Sequence, residues 1–468
     1  MLLNDSFEQF QSPFSWRYGS VEMRRIWSEV HKRQLWRRLW VALAEAQIPA
    51  GFVTPAQVAE LQAHVNDVDM AQAHAIEAEI HHDLMAEVRV FAGQCPTAGG
   101  IIHLGATSMD IEDNADALRL RESLALILEA MRKLLSTLAA QIEAYADTPC
   151  MAYTHIQPAE ITTVGYRLSQ YTQDLLVDFG ELQRAHVDIR GKGFTGAVGT
   201  SASYQELMAG TPLMLEDFQQ RVMQSAGIEA FAVSTQTYPR KQDWRVLTVL
   251  AGVASSLYKF ALDLRILQSP PFGEMAEPFG AKQVGSSAMP FKRNPINAEK
   301  ICSLGRLVLS QVQVAWENAS HSILERTLDD SANRRTMLPE SFLAVDEMIA
   351  VATRIIENLR VDEATIARNL AVYGRFSAVE RVLMALGKAG ANRQEMHEVL
   401  REHSLVAWSA ISKGLANPLV DRLASDERLL NYLPADAIRQ LMDYSTYVGD
   451  APLRAKRMAQ QTLDALVE

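Results

Sequence analysis

The chain has 468 residues, 48% hydrophobic and 22% charged, with a formal net charge of −11. That hydrophobic share excludes a disordered chain, and the acidic balance excludes a general binder of nucleic acid or anionic membrane, which needs a basic footprint. A local basic pocket for an anionic small molecule stays open, and the length suits about three domains or one large elongated one.

Cys95, Cys150 and Cys302 are widely spaced, odd in number and without a CxxC pair. They read as reduced, small buried hydrophobes of a cytosolic protein. The opening "MLLNDSFEQF" turns acidic and polar too early for a signal peptide. No apolar run approaches the roughly 18 residues that a membrane span requires. The expectation is a soluble, cytoplasmic protein.

Taken in chain order, residues 1–110 hold shorter helical stretches such as "MRRIWSEVHKRQLWRRLWVALAEAQI". Residues 111–147 contain neither Gly nor Pro, and Leu120, Leu124, Ile127, Met131, Leu135, Leu138 and Ile142 recur at helical steps of three and four. At 1.5 Å per residue the spacing predicts a helix of roughly 50 Å, ended by Pro149. Residues 159–189, 241–268, 296–327 and 338–359 repeat the pattern. Gly- or Pro-containing stretches, or the charged "LDDSANRR", connect them. These predict five long helices in one bundle, with more apolar surface than one bundle hides, so that oligomerisation is expected. Residues 361–468 read as short helices broken by Gly390, Gly414, Pro418, Pro434 and Gly449. Period-two alternation is scarce. The fold class expected is all-α, in three parts: 1–110, 111–360 and 361–468.

"GKGFTG" at 191–196 fits GxGxxG, but a long helical pattern precedes it and no acidic ribose partner follows, so it reads as a flexible connection between helices. His81, His82 and Asp83 are adjacent and would diverge on a helix; no HxxxH or HExxH occurs, and no metal site is expected. His155, in "MAYTHIQPAE", is placed at the mouth of a long helix. There it can serve as a general acid or base, or as a cap or buried polar group.

"GSSAMPFKRNP" at 285–295 supplies hydroxyls, a flexible backbone and the Lys292 charge, a set suited to stabilising a developing anion. No base adjoins its serines and no GxSxG elbow is present, which disfavours a hydrolase. Its plain alternative is a surface loop rich in turn formers. "ERTLDDSANRR" at 325–335 is either a solvated charged run or a clasp for phosphate or carboxylates. "SWRYGS" adds Arg17 and Tyr18.

In order along nearly the whole chain, "RYGSVEM", "HHDLMAEV", "IIHLGATSMDIEDNADAL", "THIQPAEITTVGYR", "TGAVGTSAS", "STQTYPRK", "GSSAMPFKRNP" and "LERTLDDSANRR" resemble the adenylosuccinate lyase branch of the fumarase/aspartase superfamily. The resemblance implies an all-α homotetramer with pooled central helices, active sites shared between subunits, a nucleotide substrate and β-elimination without a cofactor or metal. By motif, Ser286 resembles the general base and His155 the general acid. Lys292 resembles a group meeting the developing charge, His82 lies close to the chemistry, and Glu299 resembles an acidic partner that orients His155. Arg17, Tyr18, Arg326, Ser331 and Arg335 resemble the holders of the nucleotide and its phosphate. His82, Asp83, Thr107, Ser108, Gln236, Lys292 and Asn294 resemble the succinyl and base pocket. Two departures stand out: His81 sits where many relatives carry Arg, weakening one anion contact, and Phe291 sits where a polar ring is common.

Overall fold

The computed structural model describes residues 8–467. Helices dominate. The first relevant ones are α1 (Glu29–Gln47), α2 (Met70–Ile80) and α3 (Asp83–Gln94). Two of the five long helices follow, α4 (Ser108–Ala144) and α5 (Val164–Asp188), with strands β1 (Pro149–Thr154) and β2 (Gln157–Thr163) between them. The other three are α6 (Lys241–Gln268), α7 (Ile296–Ser320) and α8 (Asp329–Glu357), and α9 (Glu363–Ser377) opens the C-terminal run of shorter helices. The chain divides into two compact units. One holds residues up to 131 with 178–255 and 303–349; the other holds 132–177, 256–302 and 350 onward. Each long helix gives a segment to both.

The long-helix reading holds where periodicity was strongest. All seven apolar residues predicted to share one face of α4, from Leu120 to Ile142, have no exposed surface. Several boundaries differ. The helix expected from 159 starts at Val164, because β1 and β2 form an antiparallel hairpin with Pro149 opposite Thr163 and Thr154 opposite Gln157. A bulge between Met151 and Tyr153 breaks the alternation that would have marked the strand. Pro149 therefore opens a strand, and α4 has already ended at Ala144. Gly165 follows the hairpin where a Cβ would lie 2.5 Å from the Ile142 carbonyl oxygen, so the start of α5 can pack on the end of α4 only as glycine.

The second correction concerns "LDDSANRR". It is not a connection: α8 starts at Asp329 and runs through Pro339, which removes a single backbone donor. Asp329 and Asp330 in the first turn suit the positive end of the helix dipole. At the other boundary, α7 stops at Ser320, short of the expected 327.

One helix among those described, α6, is long and apolar enough by composition to cross a membrane, against the expectation that no run comes close. Its Leu247, Leu250, Val253, Leu257 and Ala261 are buried in the protein. In the first unit α1 and α3 enclose a buried ionic group in which Glu87 accepts from Arg33 Nη1 at 3.0 Å and Arg37 Nε at 2.7 Å. In the second, β3 (Met275–Ala276) pairs with β4 (Arg360–Val361), and residues 378–442 gather Val382, Leu386, Leu400, Leu423 and Ile438 into a core of their own. Cys95, Cys150 and Cys302 are buried free thiols; burial pushes the first up to about 11 and the second up to about 12.

Candidate active site

The first unit holds a cavity of about 120 Å³ whose walls include Trp27, Trp36, Asp83, Glu112, Arg326, Ser331 and Arg335. Pockets that enclose a whole small ligand run from roughly 300 to 1,000 Å³, so this space suits one charged end of a ligand. Its polar wall is built by the first turns of α8. Ser331 and Arg335 stand four residues apart on that helix, hence on one face. Hydroxyl, guanidinium and helix dipole converge there on any anion.

Arg335 donates to the Asp83 carboxylate at 3.3 Å, and Asp83 also accepts from Leu84 N at 2.8 Å as it opens α3. His82 caps that helix: its Nδ1 accepts from Met85 N at 3.4 Å. A ring accepting at Nδ1 carries its proton on Nε2, which lies 3.5 Å from Ser108 Oγ. His81 ends α2 in a left-handed conformation at φ 55° and His82 caps α3, so the two do not share one helix. Thr107 N donates to Asp110 at 3.1 Å, and Gln236 N to the Glu325 carbonyl at 3.3 Å, which sets two further motif segments in place. Arg17 and Tyr18 follow a short 3-10 turn, Pro13–Ser15, and neither lines the cavity.

"GKGFTG" has a structural role. The Lys192 ammonium, fully buried, pairs with Asp110 and also donates to Thr195 Oγ1 and the Gly196 carbonyl, each at 3.0 Å. It clamps the loop to the start of α4.

The cavity is also lined by Asp113, Asp116, Arg240 and Arg334, members of a charge network that the sequence reading missed. Arg240 donates to Asp113 at 3.0 Å and to Asp330 at 2.5 Å, while Arg334 donates to Asp243 at 2.8 Å and to the Tyr238 oxygen at 2.7 Å. Burial works against the Arg334 charge, but Asp243, Tyr238, Asp116 and Asp113 outweigh it and raise its pKa well above the ordinary value. Glu112 was also missed. Burial first, then the charges of Asp83, Asp116 and Asp113, push its carboxyl up to about 8. The signal for both lay inside quoted stretches, "DIEDNADAL" and "SANRR", but nothing local separates Arg334, which is buried, from Arg335, which is exposed.

The other predicted residues belong to the second unit. Ser286 Oγ accepts from Ala288 N at 3.3 Å and Met289 N at 3.1 Å, so two backbone donors face that oxygen. Asn294 Nδ2 donates to the Gly285 carbonyl at 3.0 Å and closes the loop. Gly285 is required there, since a Cβ would lie 1.9 Å from the Lys292 carbonyl oxygen. At the base of the loop Glu277 accepts from Asn297 N at 3.1 Å and Ala298 N at 2.9 Å, capping α7. Lys292 and Phe291 are exposed at the tip.

His155 departs from its expected place. It sits on the turn of the β1–β2 hairpin, exposed, not at the mouth of a helix. Both His155 (φ 53°) and Ile156 (φ 61°) are left-handed without being glycine. Glu299, in the first turn of α7, has Arg265 Nη2 at 3.9 Å. Among the described residues no hydrogen bond within the chain joins Glu299 to His155, and no group of three or more His, Cys, Asp or Glu is arranged to hold a metal.

A family model described as lyase matches residues 18–313, and one described as adenylosuccinate lyase C-terminus matches residues 376–458. The chain is 41% identical to the adenylosuccinate lyase of Schistosoma mansoni, over 90% of this chain and 88% of that one. It is 37% identical to that of Saccharomyces cerevisiae, over 98% and 95%. The chain belongs to the adenylosuccinate lyase family. As an adenylosuccinate lyase it is an enzyme of the C–N lyase class. Solved structures similar to it include a fumarate lyase from Mesorhizobium (TM-score 0.83, 23% identity, 97% of this chain and 99% of that one). A 3-carboxy-cis,cis-muconate lactonizing enzyme from Pseudomonas putida gives TM-score 0.84 at 24% identity, over 97% and 100%. At those identities they establish for this adenylosuccinate lyase the fold alone.

Proposed function

We propose that the enzyme splits adenylosuccinate into AMP and fumarate by β-elimination, and treats the succinylated aminoimidazole carboxamide ribotide of purine synthesis in the same way. The observation that carries the mechanism is the pair of amide donors aimed at Ser286 Oγ. A serine is a poor base in water. Two fixed N–H groups and a nearby Lys292 lower the free energy of its alkoxide, and closure of the loop would remove competing solvent.

Ser286 takes the proton from the succinyl carbon beside a carboxylate, and the electron pair passes into an aci-carboxylate faced by Lys292 and loop N–H groups. The pair then forms the fumarate double bond as the C–N bond breaks, and His155 protonates the departing nitrogen. Arg17, Tyr18, Arg326, Ser331 and Arg335 hold the nucleotide and phosphate; His81, His82, Asp83, Thr107, Ser108, Gln236 and Asn294 line the succinyl and base pocket. No cofactor or metal enters the reaction.

The working form is a homotetramer in which Glu299 of one subunit orients His155 of another. Supporting this, among the described residues no carboxylate of the same chain pairs with His155, and Val177, Leu262, Leu309 and Trp316 leave apolar surface exposed on the long helices. We place the enzyme in the cytoplasm and retain the division into 1–110, 111–360 and 361–468. The test is purified protein incubated with adenylosuccinate: fumarate and AMP should appear in equal amounts, and absence of fumarate would end the proposal.

A further inference from the structure

Glu274 stands at the root of the loop that bears Ser286, with no exposed surface. Its Oε1 accepts from the Tyr153 hydroxyl and from Asn369 Nδ2, each at 3.0 Å, and its Oε2 accepts from Arg167 Nη1 at 3.1 Å. The backbone is tied as firmly: Asp362 N donates to the Glu274 carbonyl at 2.9 Å, and Asn369 Nδ2 to the Phe272 carbonyl at 2.9 Å. The second end of the Arg167 guanidinium donates to the Met151 carbonyl in β1. One buried carboxylate thus joins the hairpin, α5, α9 and the loop root.

Tyr153 lies two residues before His155, and its ring meets Phe272 edge-on at 4.8 Å between centroids. Burial, then the Glu274 charge, lift the Tyr153 hydroxyl well above its ordinary range, so it remains a donor throughout the working pH range. Past it the chain makes two left-handed turns without glycine, at His155 and Ile156. Such conformations persist only where the surroundings over-determine them. On the β1 side Tyr153, fixed to Glu274 and Phe272, adds a side-chain anchor to the strand pairing next to that turn.

We propose that Glu274 is a positioning residue for the elimination: through Tyr153 it aims the turn that carries His155, and through its own backbone it sets the base of the Ser286 loop. This rests on the assignment of His155 as acid and Ser286 as base. Neither Glu274 nor Tyr153 touches substrate.

The test is a double-mutant cycle of Tyr153→Phe and His155→Ala in the full-length enzyme, with Glu274→Gln alongside. Tyr153→Phe keeps the Arg167–Glu274 pair and should fold to the same oligomer, with a melting temperature lowered by no more than about a few degrees. It should lower kcat by about ten- to a hundredfold, the scale of a misplaced catalytic group, and leave KM within about twofold. In the His155→Ala background the same substitution should cost nothing further, because its effect passes through the imidazole. Glu274→Gln should lower kcat at least as far. Equal losses in both backgrounds, or a Tyr153→Phe enzyme matching the parent, would overturn the proposal while the acid assignment stood. A fully active His155→Ala enzyme would remove that assignment and this proposal together.

Discussion

Arg335 donates from Nη2 to a carboxylate oxygen of Asp83 at 3.3 Å across 252 positions of chain. The contact joins the cationic face of α8 to the start of α3, beside the His82 cap. Two motifs far apart in sequence, one assigned to phosphate and one to the succinyl and base pocket, share this ion pair.

Arg335 is exposed, so the pair adds little to stability, and the proposed role of Arg335 is in binding. Arg335→Ala should raise KM for adenylosuccinate by at least about tenfold, the loss of one charge-assisted contact, with a smaller change in kcat. A dephosphorylated substrate should show no such difference between parent and variant. Steady-state kinetics with both compounds decides it.

Ser286→Ala and His155→Ala should each lower kcat by at least about a hundredfold, the usual weight of a general base or acid. Both positions are at least partly open to solvent, so melting temperature and oligomer size should stay as in the parent. Near-normal turnover in either variant strips that residue of its assigned role.

Glu112 makes stability depend on pH. Its folded carboxyl lies at about 8 against an ordinary value of 4.5. The folded state therefore keeps a proton that the unfolded chain has lost between those values. The contribution is fully present below the unfolded pKa and disappears as pH rises through about 8, with a slope of at most about 1.4 kcal/mol per pH unit. Glu112→Gln lacks this slope. Relative to the variant, the parent should melt progressively lower from pH 5 to pH 9, and a constant difference across that range would refute the titration.

Arg240 neutralises Asp113 and Asp330 in the interior of the first unit. Arg240→Met leaves both carboxylates without that partner and should destabilise the protein by about 3–5 kcal/mol, as expected when one member of a buried ionic group is removed. Urea unfolding of the unliganded enzyme measures this directly; a change below about 1 kcal/mol would mean the aspartates find other partners.

The amino-acid order alone determined the long helices, because burial on one face of a helix imprints a repeat of three and four that is legible without any partner. The seven apolar positions of α4 are the clearest case. It also determined which chemical groups are available: the motif residues Ser286, Lys292, His155, Ser331 and Arg335 could be named from local order.

Only the tertiary structure decided what these groups face. The hairpin under His155 is made by pairing between β1 and β2, broken by a bulge, so no local period announces it. Likewise Arg334 and Arg335 are neighbours of one type, and packing against Asp243 and Tyr238 buries the first and leaves the second exposed. Glu274 had no motif meaning at all; the role proposed for it depends on three distant side chains, Tyr153, Arg167 and Asn369, converging on one carboxylate. Periodicity and propensity act over a few residues, whereas charge burial and hydrogen-bond closure depend on distant segments arriving at the same point.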